Sequence, residues 1–506
     1  MKFGLKGDYF NSGFHLPQKS GTDSADRIIK RECPADLDTL LWECGIKFGH
    51  VTNVVESSLI GFKTWKAKSF EERISYLKRY QEAVLSKKDE IATAIALETG
   101  KPLWEAHTEV SNIAHKVDVT ITDSLPRITN KFFEKILPDT NGNIYYRPLG
   151  PCLVIGPFNF PCHLANGQIL AALMAGNSII FKPSEKTCYS GQLLIECFDK
   201  ANFPEGVINL IQGDGETGKR LLAEKAIKGV FFTGSKEVGL AILSATHKDL
   251  SKLVALELGG KNSSILCKDT NLDHALTELL KASFLTTGQR CTSTSIIPIH
   301  ESIKDEFISR FHQLAKKIII DHPIDFEKEP FMGPLVDQLA VDNYLLFMGM
   351  AKREGLEEIM RGKQITKKFK GHYVSPSIHL GKSMDKKSHF LMSEIFGPNC
   401  TFIPFKEIEE AIDIANSTEY GLVAAVFTKD KTIFKKCLQE IDAGLINLNR
   451  STVGASARLP FGGVKNSGNY RPASVATIDS CVFQQGSLEI ITEKIEDLKN
   501  IKGLNS

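Results

Sequence analysis

The sequence predicts an α/β protein built on parallel sheets. From about residue 150 onward, short β-branched runs alternate with helical segments, which is the pattern of βαβ units. The clearest runs are CLVIG (152–156), SIIFKP (178–183), VINLIQG (207–213), GVFFTG (229–234) and SSILC (263–267). Two later runs, AAVFT (424–428) and INLNR (446–450), predict a second α/β unit. At 506 residues the chain exceeds the size of a single core, so we expect two or three domains.

The residues ahead of these strands predict scaffold helices. The segment SFEE (69–72) is a capping-box pattern, and apolar residues follow it at helical spacing. Gly100 followed by Pro102 supplies a stop. The stretch 127–147 has an Asn-Gly pair at 141–142 between two candidate strands, which predicts a projecting hairpin suited to oligomerisation.

The composition is that of an ordinary globular protein, with 42% hydrophobic residues, 24% charged residues and a net charge of +2. This balance argues against a nucleic-acid or membrane partner. The start of the chain has no apolar signal region, and no run of 18 apolar residues follows, so we expect a cytoplasmic protein. Eleven cysteines occur without a CxxC pair, which fits neither a disulfide framework nor a zinc site, and no metal is expected.

Residues 213–219, GDGETGK, match two generic phosphate-binding motifs. The P-loop interpretation fails because Arg220 stands where a Ser or Thr hydroxyl must bind magnesium. The dinucleotide fingerprint needs an acidic residue at the end of the next strand, and GVFFTGS (229–235) ends without one. A tight turn built from structural glycines is the alternative, and both interpretations stay open here.

Three other segments combine unusual residues with positions suited to chemistry. Lys182 and Glu185 stand at the carboxyl end of a predicted strand, where parallel sheets bind ligands. A carboxylate there suits the ribose hydroxyls of NAD and repels the 2′-phosphate of NADP. Glu257 is a lone carboxylate in an apolar run, and Cys291 lies on a turn after a helical stretch. Taken singly, each has a simpler interpretation: a solvated loop charge, a capping acid or a buried thiol.

Seven motifs together resemble those of the aldehyde dehydrogenase superfamily in order and spacing, over nearly the whole chain. They are PFNFP (157–161), KPSE (182–185), FTGSKEVG (232–239), LELGGKN (256–262), GQRCT (288–292), EIFGP (394–398) and PFGG (460–463). Within the superfamily, residues 98–110, 156–177 and 467–474 most resemble the N-succinylglutamate 5-semialdehyde dehydrogenases. The loop at 447–463 and Lys261 depart from that subfamily, which leaves the exact aldehyde open.

The resemblance implies a role for each matching residue. Cys291 would be the nucleophile, Asn159 and the backbone N–H of Cys291 would hold the oxyanion, and Glu257 would activate the water that hydrolyses a thioester. The residues that would hold NAD are Lys182, Glu185, Gly234, Ser235, Gly239, Glu394 and Phe396. The substrate carboxylates would meet Arg471 first, and the weaker candidates are Arg290, Arg450 and Ser451.

The family fold implied is a Rossmann-like NAD-binding domain (1–126 and 148–256), a catalytic α/β domain (257–471) and an oligomerisation arm (127–147 and 472–490). The arm would join a homodimer or homotetramer. The implied reaction is NAD-dependent oxidation of an aldehyde to a carboxylic acid, with N-succinyl-L-glutamate 5-semialdehyde of arginine catabolism as the expected substrate.

Three alternatives to this function stay open. They are another carboxylate-bearing semialdehyde, transfer of the acyl group to coenzyme A, and a catalytically silent structural relative. Coenzyme A-dependent relatives typically lack the base, so Glu257 counts against the second. Retention of Cys291, Asn159 and Glu257 together counts against the third.

Overall fold

The computed structural model describes residues 2–18, 24–325, 327–492 and 502–503. Two seven-stranded sheets, each mainly parallel, form its frame. A separate three-stranded antiparallel sheet and several two-stranded pairs complete the strands of the described residues. The predicted α/β class is therefore confirmed. Among the described residues, no helix is both long enough and apolar enough to cross a membrane.

The elements of the described residues are numbered here along the chain. The strands are β1 (Asp8–Phe10), β2 (Gly13–His15), β3 (Arg27–Cys33), β4 (Asp36–Ile46), β5 (Lys131–Leu137), β6 (Thr140–Pro148), β7 (Cys152–Ile155), β8 (Ile179–Lys182), β9 (Ile208–Leu210), β10 (Gly229–Thr233), β11 (Leu253–Glu257), β12 (Asn262–Leu266), β13 (Thr294–His300), β14 (Glu357–Met360), β15 (Ser377–Leu380), β16 (Asn399–Phe405), β17 (Tyr420–Gly421), β18 (Val423–Phe427), β19 (Leu445–Leu448), β20 (Pro460–Phe461), β21 (Val464–Lys465), β22 (Ala473–Ser474) and β23 (Val482–Ile490).

The α-helices are α1 (His50–Trp65), α2 (Phe70–Ser86), α3 (Lys88–Thr99), α4 (Leu103–Val119), α5 (His163–Ala175), α6 (Cys188–Lys200), α7 (Gly215–Ala223), α8 (Lys236–Thr246), α9 (Leu272–Phe284), α10 (Lys304–Ala315), α11 (Gln338–Arg353), α12 (His389–Met392), α13 (Ile408–Asn416) and α14 (Lys431–Glu440). The predicted capping box at the start of α2 is confirmed, because Ser69 and Glu72 bond reciprocally. Gly100 ends α3 in the left-handed conformation, with φ of 81°. The residue between α2 and α3, Lys87, is not helical.

The first sheet has the strand order β11-β10-β7-β8-β9-β1-β2. Strands β7 to β11 are parallel, and β1 joins β9 in the antiparallel direction. Nearly every residue of these parallel strands is buried, as expected for a sheet with both faces covered. Lys182, Thr233 and Glu257 end β8, β10 and β11, so all three lie at the carboxyl edge of this sheet.

The second sheet has the order β14-β15-β16-β13-β12-β18-β19, in which only β14 is antiparallel. Only residues 258–261 separate β11 of the first sheet from β12 of the second. The carboxyl edge of one sheet therefore meets the amino edge of the other. Cys291 lies just before β13, and Glu394 and Phe396 lie just before β16, at this same junction.

The three-stranded sheet has the order β23-β6-β5. The predicted hairpin within 127–147 exists, but the prediction of its turn at 141–142 was wrong. Leu137 pairs with Thr140, so Pro138 and Asp139 form the turn. Asp139 takes the left-handed conformation with φ of 52°, which an Asp tolerates in a tight turn. The Asn-Gly pair lies inside β6, where it pairs with β23.

The hairpin of β3 and β4 packs with the second sheet. Cys33, Leu41, Trp42 and Cys44 share a core with apolar residues of β12, β13 and β16. The predicted boundaries assign this segment to the first domain, because a hairpin's packing partner is a long-range contact that local sequence does not reveal. The division at 126, 148, 257 and 472 stays a prediction.

Candidate active site

Cys291 follows a turn of unusual backbone conformation at the end of α9. Thr286, Thr287 and Gly288 have φ values of 54°, 56° and 70°. Two consecutive β-branched residues in this region are strained, and such strain persists only where the surroundings impose it. A Cβ at Gly288 would lie 2.3 Å from the carbonyl oxygen of Gly397, so no larger residue fits there.

Cys291 is the accessible thiol of the chain. All eleven cysteines lie in the described residues; ten are buried and Cys291 is partly exposed. Desolvation raises the pKa of the Cys291 thiol, and the nearby charges of Glu257 and Glu394 raise it further, while Arg290 opposes them. The candidate nucleophile and the candidate base therefore share one site.

Asn262, the first residue of β12, holds the backbone on which the thiol stands. Its Nδ2 donates to the carbonyl oxygens of Cys291, at 2.7 Å, and Ser293, at 2.9 Å. Its Oδ1 accepts from the N–H of Val423 at 3.1 Å, which fixes the orientation of the amide. A Cβ at Gly260 would lie 2.5 Å from the Cys291 carbonyl oxygen. Gly259 and Gly260 thus let the connection between the two sheets pass close to Cys291.

Glu257 ends β11 and is 1% exposed. Neither carboxylate oxygen has a hydrogen-bond partner among the described residues. Desolvation raises the pKa of Glu257 well above its usual range, and the charge of Arg471 only partly opposes this. A carboxylate of raised proton affinity in an otherwise apolar wall has the properties of a general base.

Asn159 lies in the loop between β7 and α5 and is 4% exposed. Its Nδ2 donates to the carbonyl oxygen of Gln289 at 2.9 Å, two residues before Cys291. Its Oδ1 accepts from the N–H of Phe160 at 3.1 Å. Because a side-chain amide has two N–H donors, one remains for an oxyanion that forms beside the thiol.

Glu105 on α4 holds the turn that precedes Cys291. Its carboxylate accepts from the backbone N–H of Thr286 at 3.1 Å and from the Thr286 hydroxyl. It also pairs with the guanidinium of Arg290 at 2.5 Å. Arg290 donates in addition to the Thr286 hydroxyl at 2.8 Å and lies over the ring of Phe160. This contact network holds the strained turn against α4.

Glu109, one helical turn later, anchors the loop that carries Asn159. Its Oε1 accepts from the backbone N–H groups of Cys162 and His163, both at 3.1 Å. Its Oε2 pairs with Lys101 at 2.5 Å, and neither side chain of this pair is exposed. The Lys101 ammonium lies 3.7 Å from the centre of the Phe160 ring.

Lys182 and Glu185 occupy the carboxyl end of β8 as predicted. Lys182 is 3% exposed, and its Nζ donates to the carbonyl oxygen of Pro183 at 3.1 Å. Desolvation lowers the pKa of Lys182, and the charge of Glu185 opposes this. Glu185 itself is exposed. A cation and a free carboxylate thus stand together at the sheet edge.

The turn from β10 into α8 brings backbone close to this edge. Ser235 caps α8 by accepting from the N–H of Val238 at 3.4 Å. A Cβ at Gly234 would lie 2.3 Å from the Phe232 ring, and a Cβ at Gly239 would lie 2.8 Å from Leu258. Both glycines therefore let these neighbouring side chains pack closely against the backbone of the turn.

Glu394 and Phe396 lie on the opposite side of the junction. Glu394 accepts from the N–H of Gly260 at 3.0 Å, and desolvation raises its pKa to about 7 against the opposing effects of that bond and of Lys261. Phe396 has a left-handed backbone with φ of 52° and packs edge-on against Phe158, with ring centres 5.9 Å apart.

The profile of the Aldehyde dehydrogenase family matches residues 22–484 of the chain. The chain belongs to the aldehyde dehydrogenase family. A protein of Novosphingobium aromaticivorans named N-succinylglutamate 5-semialdehyde dehydrogenase is 35% identical, over 88% of this chain and 93% of that protein. A protein of Legionella pneumophila with the same name is 36% identical, over 94% of both chains. The crystal structure of betaine aldehyde dehydrogenase from Staphylococcus aureus in complex with NAD⁺ matches with a TM-score of 0.91 and 25% identity, covering 98% of this chain and 97% of that one.

Of the four residues predicted to meet the substrate, Arg471 is the one that lies beside Glu257 in this family member. Asn469 N–H donates to the Leu256 carbonyl, which ties the segment ahead of Arg471 to the end of β11. Arg471 has a left-handed backbone with φ of 54°, and its guanidinium donates to the Gly463 carbonyl oxygen. A Cβ at Gly462 would lie 3.0 Å from Cδ of Arg471 and 3.4 Å from Oε2 of Glu257, so the two side chains are neighbours.

The other three predicted residues are engaged elsewhere. The guanidinium of Arg290 binds Glu105 and Thr286, as described. Arg450 is exposed and donates to the carbonyl oxygen of Gly454 at 2.9 Å. Ser451 is buried, and its hydroxyl accepts from the N–H of Val453 at 3.2 Å. No contact in the described part of the chain joins Arg450 or Ser451 to Cys291.

Sequence reasoning missed the residues that support the site from α4. Glu105 and Glu109 lie in a motif that resembles the family, and their spacing of four places them on one helix face. Two acids at that spacing ordinarily indicate a solvated face, whereas here both are almost fully buried. Asn262 was noticed only as the end of the LELGGKN motif, without a role. In the segment GDGETGK (213–219), Asp214 caps α7 and pairs with Arg27.

Proposed function

We propose that this enzyme oxidises N-succinyl-L-glutamate 5-semialdehyde to N-succinyl-L-glutamate with NAD as the oxidant. The observation that carries the chemistry is the partly exposed Cys291 near the buried carboxylate of Glu257, which has no hydrogen-bond partner among the described residues. The substrate is supported by the names of relatives that are 35% and 36% identical over most of their length.

The first half-reaction builds a covalent adduct on Cys291. The thiol gives its proton to solvent water, and the thiolate Sγ forms a bond to the aldehyde carbon, which turns the carbonyl oxygen into an oxyanion. The second N–H of the Asn159 amide and the backbone N–H of Cys291 are the donors that stabilise this charge. Bound NAD would supply the hydride acceptor that converts this adduct into a thioester of Cys291.

The second half-reaction hydrolyses the thioester. Glu257 takes a proton from water, the resulting hydroxide oxygen bonds to the acyl carbon, and the C–S bond breaks. The acid leaves, and the thiolate of Cys291 is restored. The raised pKa of Glu257 suits this step, because a carboxylate of ordinary pKa is a weak base near neutrality.

The residues at the sheet junction fit NAD. The closely packed glycines at 234 and 239 bring the amino end of α8 near the sheet edge, where a helix terminus favours the pyrophosphate. Lys182 and Glu185 would hold the adenine ribose, and the exposed Glu185 carboxylate disfavours a 2′-phosphate. Glu394 and Phe396 would contact the nicotinamide ribose and ring.

The β23-β6-β5 sheet supports assembly into a homodimer or homotetramer. Its strands expose large apolar side chains, among them Phe132 at 62%, Leu488 at 63% and Ile490 at 75%. Apolar clusters of this kind mark interaction surfaces. The cytoplasmic location and the division into three domains stay predictions, as does this assembly.

A substrate screen tests the proposed function. Purified protein is mixed with NAD and a panel of aldehydes: N-succinylglutamate semialdehyde, succinate semialdehyde, and neutral aliphatic aldehydes of matched length. We expect NADH formation with the highest kcat/KM for the succinylated aldehyde. Equal kcat/KM for the neutral aldehydes contradicts the substrate, and NADH formation that requires coenzyme A contradicts hydrolysis by Glu257.

A further inference from the structure

Lys116 on α4 is a buried cation to which the proposed chemistry gives no role. It is 2% exposed, and its Nζ has no hydrogen-bond partner among the described residues. Desolvation lowers its pKa to about 8, and the charge of Asp123 opposes this. A buried ammonium without a partner is costly, so such a group is retained where something else pairs with it.

Lys116 packs against α5, the helix that follows the loop carrying Asn159. His163, the first residue of α5, lies within electrostatic range of Lys116, and its Nδ1 is likewise buried without a partner in the described residues. Gly167, one turn further along α5, has no side chain, and a Cβ there would lie 3.5 Å from Cε of Lys116. His163 begins α5 four residues after Asn159, so the pair lies at the end of α5 that follows the loop carrying Asn159.

The nearest carboxylate does not neutralise Lys116. Asp123 lies in the turn after α4, and Arg458 holds it by two bonds of 2.9 Å and 3.2 Å to Oδ1. No ion pair joins Asp123 to Lys116 within the described residues. Arg458 is 68% exposed, so it forms the surface end of a row of side chains. The row continues inward through Asp123, Lys116 and His163, toward the loop that carries Asn159.

We propose that Lys116 and His163 form a carboxylate-binding subsite that selects aldehydes carrying a carboxylate remote from the aldehyde carbon. The inference rests on the proposed function, because it names the groups that recognise that substrate. One carboxylate oxygen accepts from the Lys116 ammonium, and the other accepts from a ring N–H of His163. A carboxylate with two acceptor oxygens satisfies both unpartnered groups at once.

The test compares Lys116→Met with Lys63→Met, a control at an exposed lysine in the last turn of α1. Each is assayed with N-succinylglutamate semialdehyde and with a neutral aldehyde of matched length. A charge-assisted hydrogen bond of ordinary strength predicts a loss of roughly 10- to 100-fold in kcat/KM for the diacid in Lys116→Met. The neutral aldehyde and the control should change little.

Thermal stability separates recognition from structural support. Because Lys116 has no partner, Lys116→Met should leave the Tm of the free enzyme unchanged or raise it. A lowered Tm with equal losses for both aldehydes overturns the subsite. His163→Asn, which keeps the fold of the α5 start, should give a smaller loss confined to the diacid, and an unchanged diacid kcat/KM in both variants also overturns it.

Assays with different aldehydes identify which carboxylate of the substrate is bound. They also show whether the proposed function or only the subsite proposal fails. An N-acetyl analogue retains only the carboxylate on the α-carbon. If Lys116→Met impairs both analogues, that carboxylate occupies the subsite; if it impairs only the succinylated one, the distal carboxylate does. A wild-type enzyme with no preference for the diacid overturns the proposed function and the subsite together. A preference that survives in Lys116→Met overturns the subsite alone.

Discussion

Glu105 and Glu109 lie one turn apart on the buried face of α4, and each holds one of the two loops that form the active site. Glu105 binds the turn before Cys291, and Glu109 binds the segment after Asn159. One rigid helix therefore sets the spacing between the nucleophile and the oxyanion donor, which come from different sheets.

This relationship predicts a positioning role for Glu105. Glu105→Gln leaves Arg290, which is 13% exposed, without its charge partner, and breaking a buried pair costs about 3–5 kcal/mol. We expect a lower Tm, together with a kcat that falls more than KM rises, because the turn loses its anchor. Glu105→Asp should recover part of kcat, and Glu82→Gln on the exposed face of α2 is the control. Unchanged kcat with a lower Tm means that the pair only stabilises the fold.

The nucleophile assignment predicts that Cys291→Ala abolishes NADH formation and leaves NAD binding nearly unchanged. The thiol forms the covalent adduct and does not hold the dinucleotide. Turnover is followed by NADH absorbance, and binding by calorimetry. Cys267→Ala, at a buried cysteine of the second core, should keep most of the activity. Substantial turnover in Cys291→Ala rules out the assignment.

The oxyanion assignment predicts that Asn159→Ala lowers kcat by roughly 10²- to 10³-fold, the usual cost of one lost donor. Asn159 also donates to the carbonyl oxygen of Gln289, so loss of this structural bond contributes to the effect of Asn159→Ala. Asn159→Asp retains the size of the side chain and loses the donor, so it should be equally impaired. A change confined to KM indicates that Asn159 positions substrate and does not stabilise charge.

Cofactor choice depends on Glu185. Its exposed carboxylate at the end of β8 is expected to face the 2′ position of the adenosine, where it repels a phosphate. Glu185→Gln should therefore raise kcat/KM with NADP and change the value with NAD less. Lys186→Gln, at the next residue, is the matched control because Lys186 pairs with Asp337. Equal use of both cofactors by the wild type shows that Glu185 points elsewhere.

The sequence predicted seven strands of the two sheets, β7 to β10, β12, β18 and β19, because short β-branched runs between turns are a local signal. It did not predict β13, β15 and β16, which form the middle of the second sheet. It also predicted where Cys291, Glu257 and Lys182 lie, since motif order carries that information. The contacts that hold them could not be predicted. Arg290 was expected to meet substrate, yet its partner Glu105 lies 185 residues away in sequence. The burial of Lys116 depends on the bare face of α5 at Gly167, which only packing reveals.

Glu257 is expected to act in the second half-reaction, as the base that activates water. Glu257→Gln removes the base, so thioester hydrolysis should slow more than adduct formation, and NADH should appear as a stoichiometric burst followed by a slow steady state. Stopped-flow absorbance measures both phases. Wild-type steady-state turnover in this variant means that another group activates water. Glu394→Gln is the comparison, because Glu394 also lies near the thiol but has no assigned part in hydrolysis.

The same substitution should change the ionisation of Cys291. A carboxylate beside the thiol disfavours the thiolate, so it raises the thiol pKa, and removal of that charge must lower it. The pH midpoint for alkylation of Cys291 by iodoacetamide should therefore move to lower pH in Glu257→Gln. Glu394→Gln should move it in the same direction but by less, because Glu257 is the larger of the two charge effects. A midpoint that rises or stays fixed in Glu257→Gln indicates that the carboxylate does not share the site with the thiol.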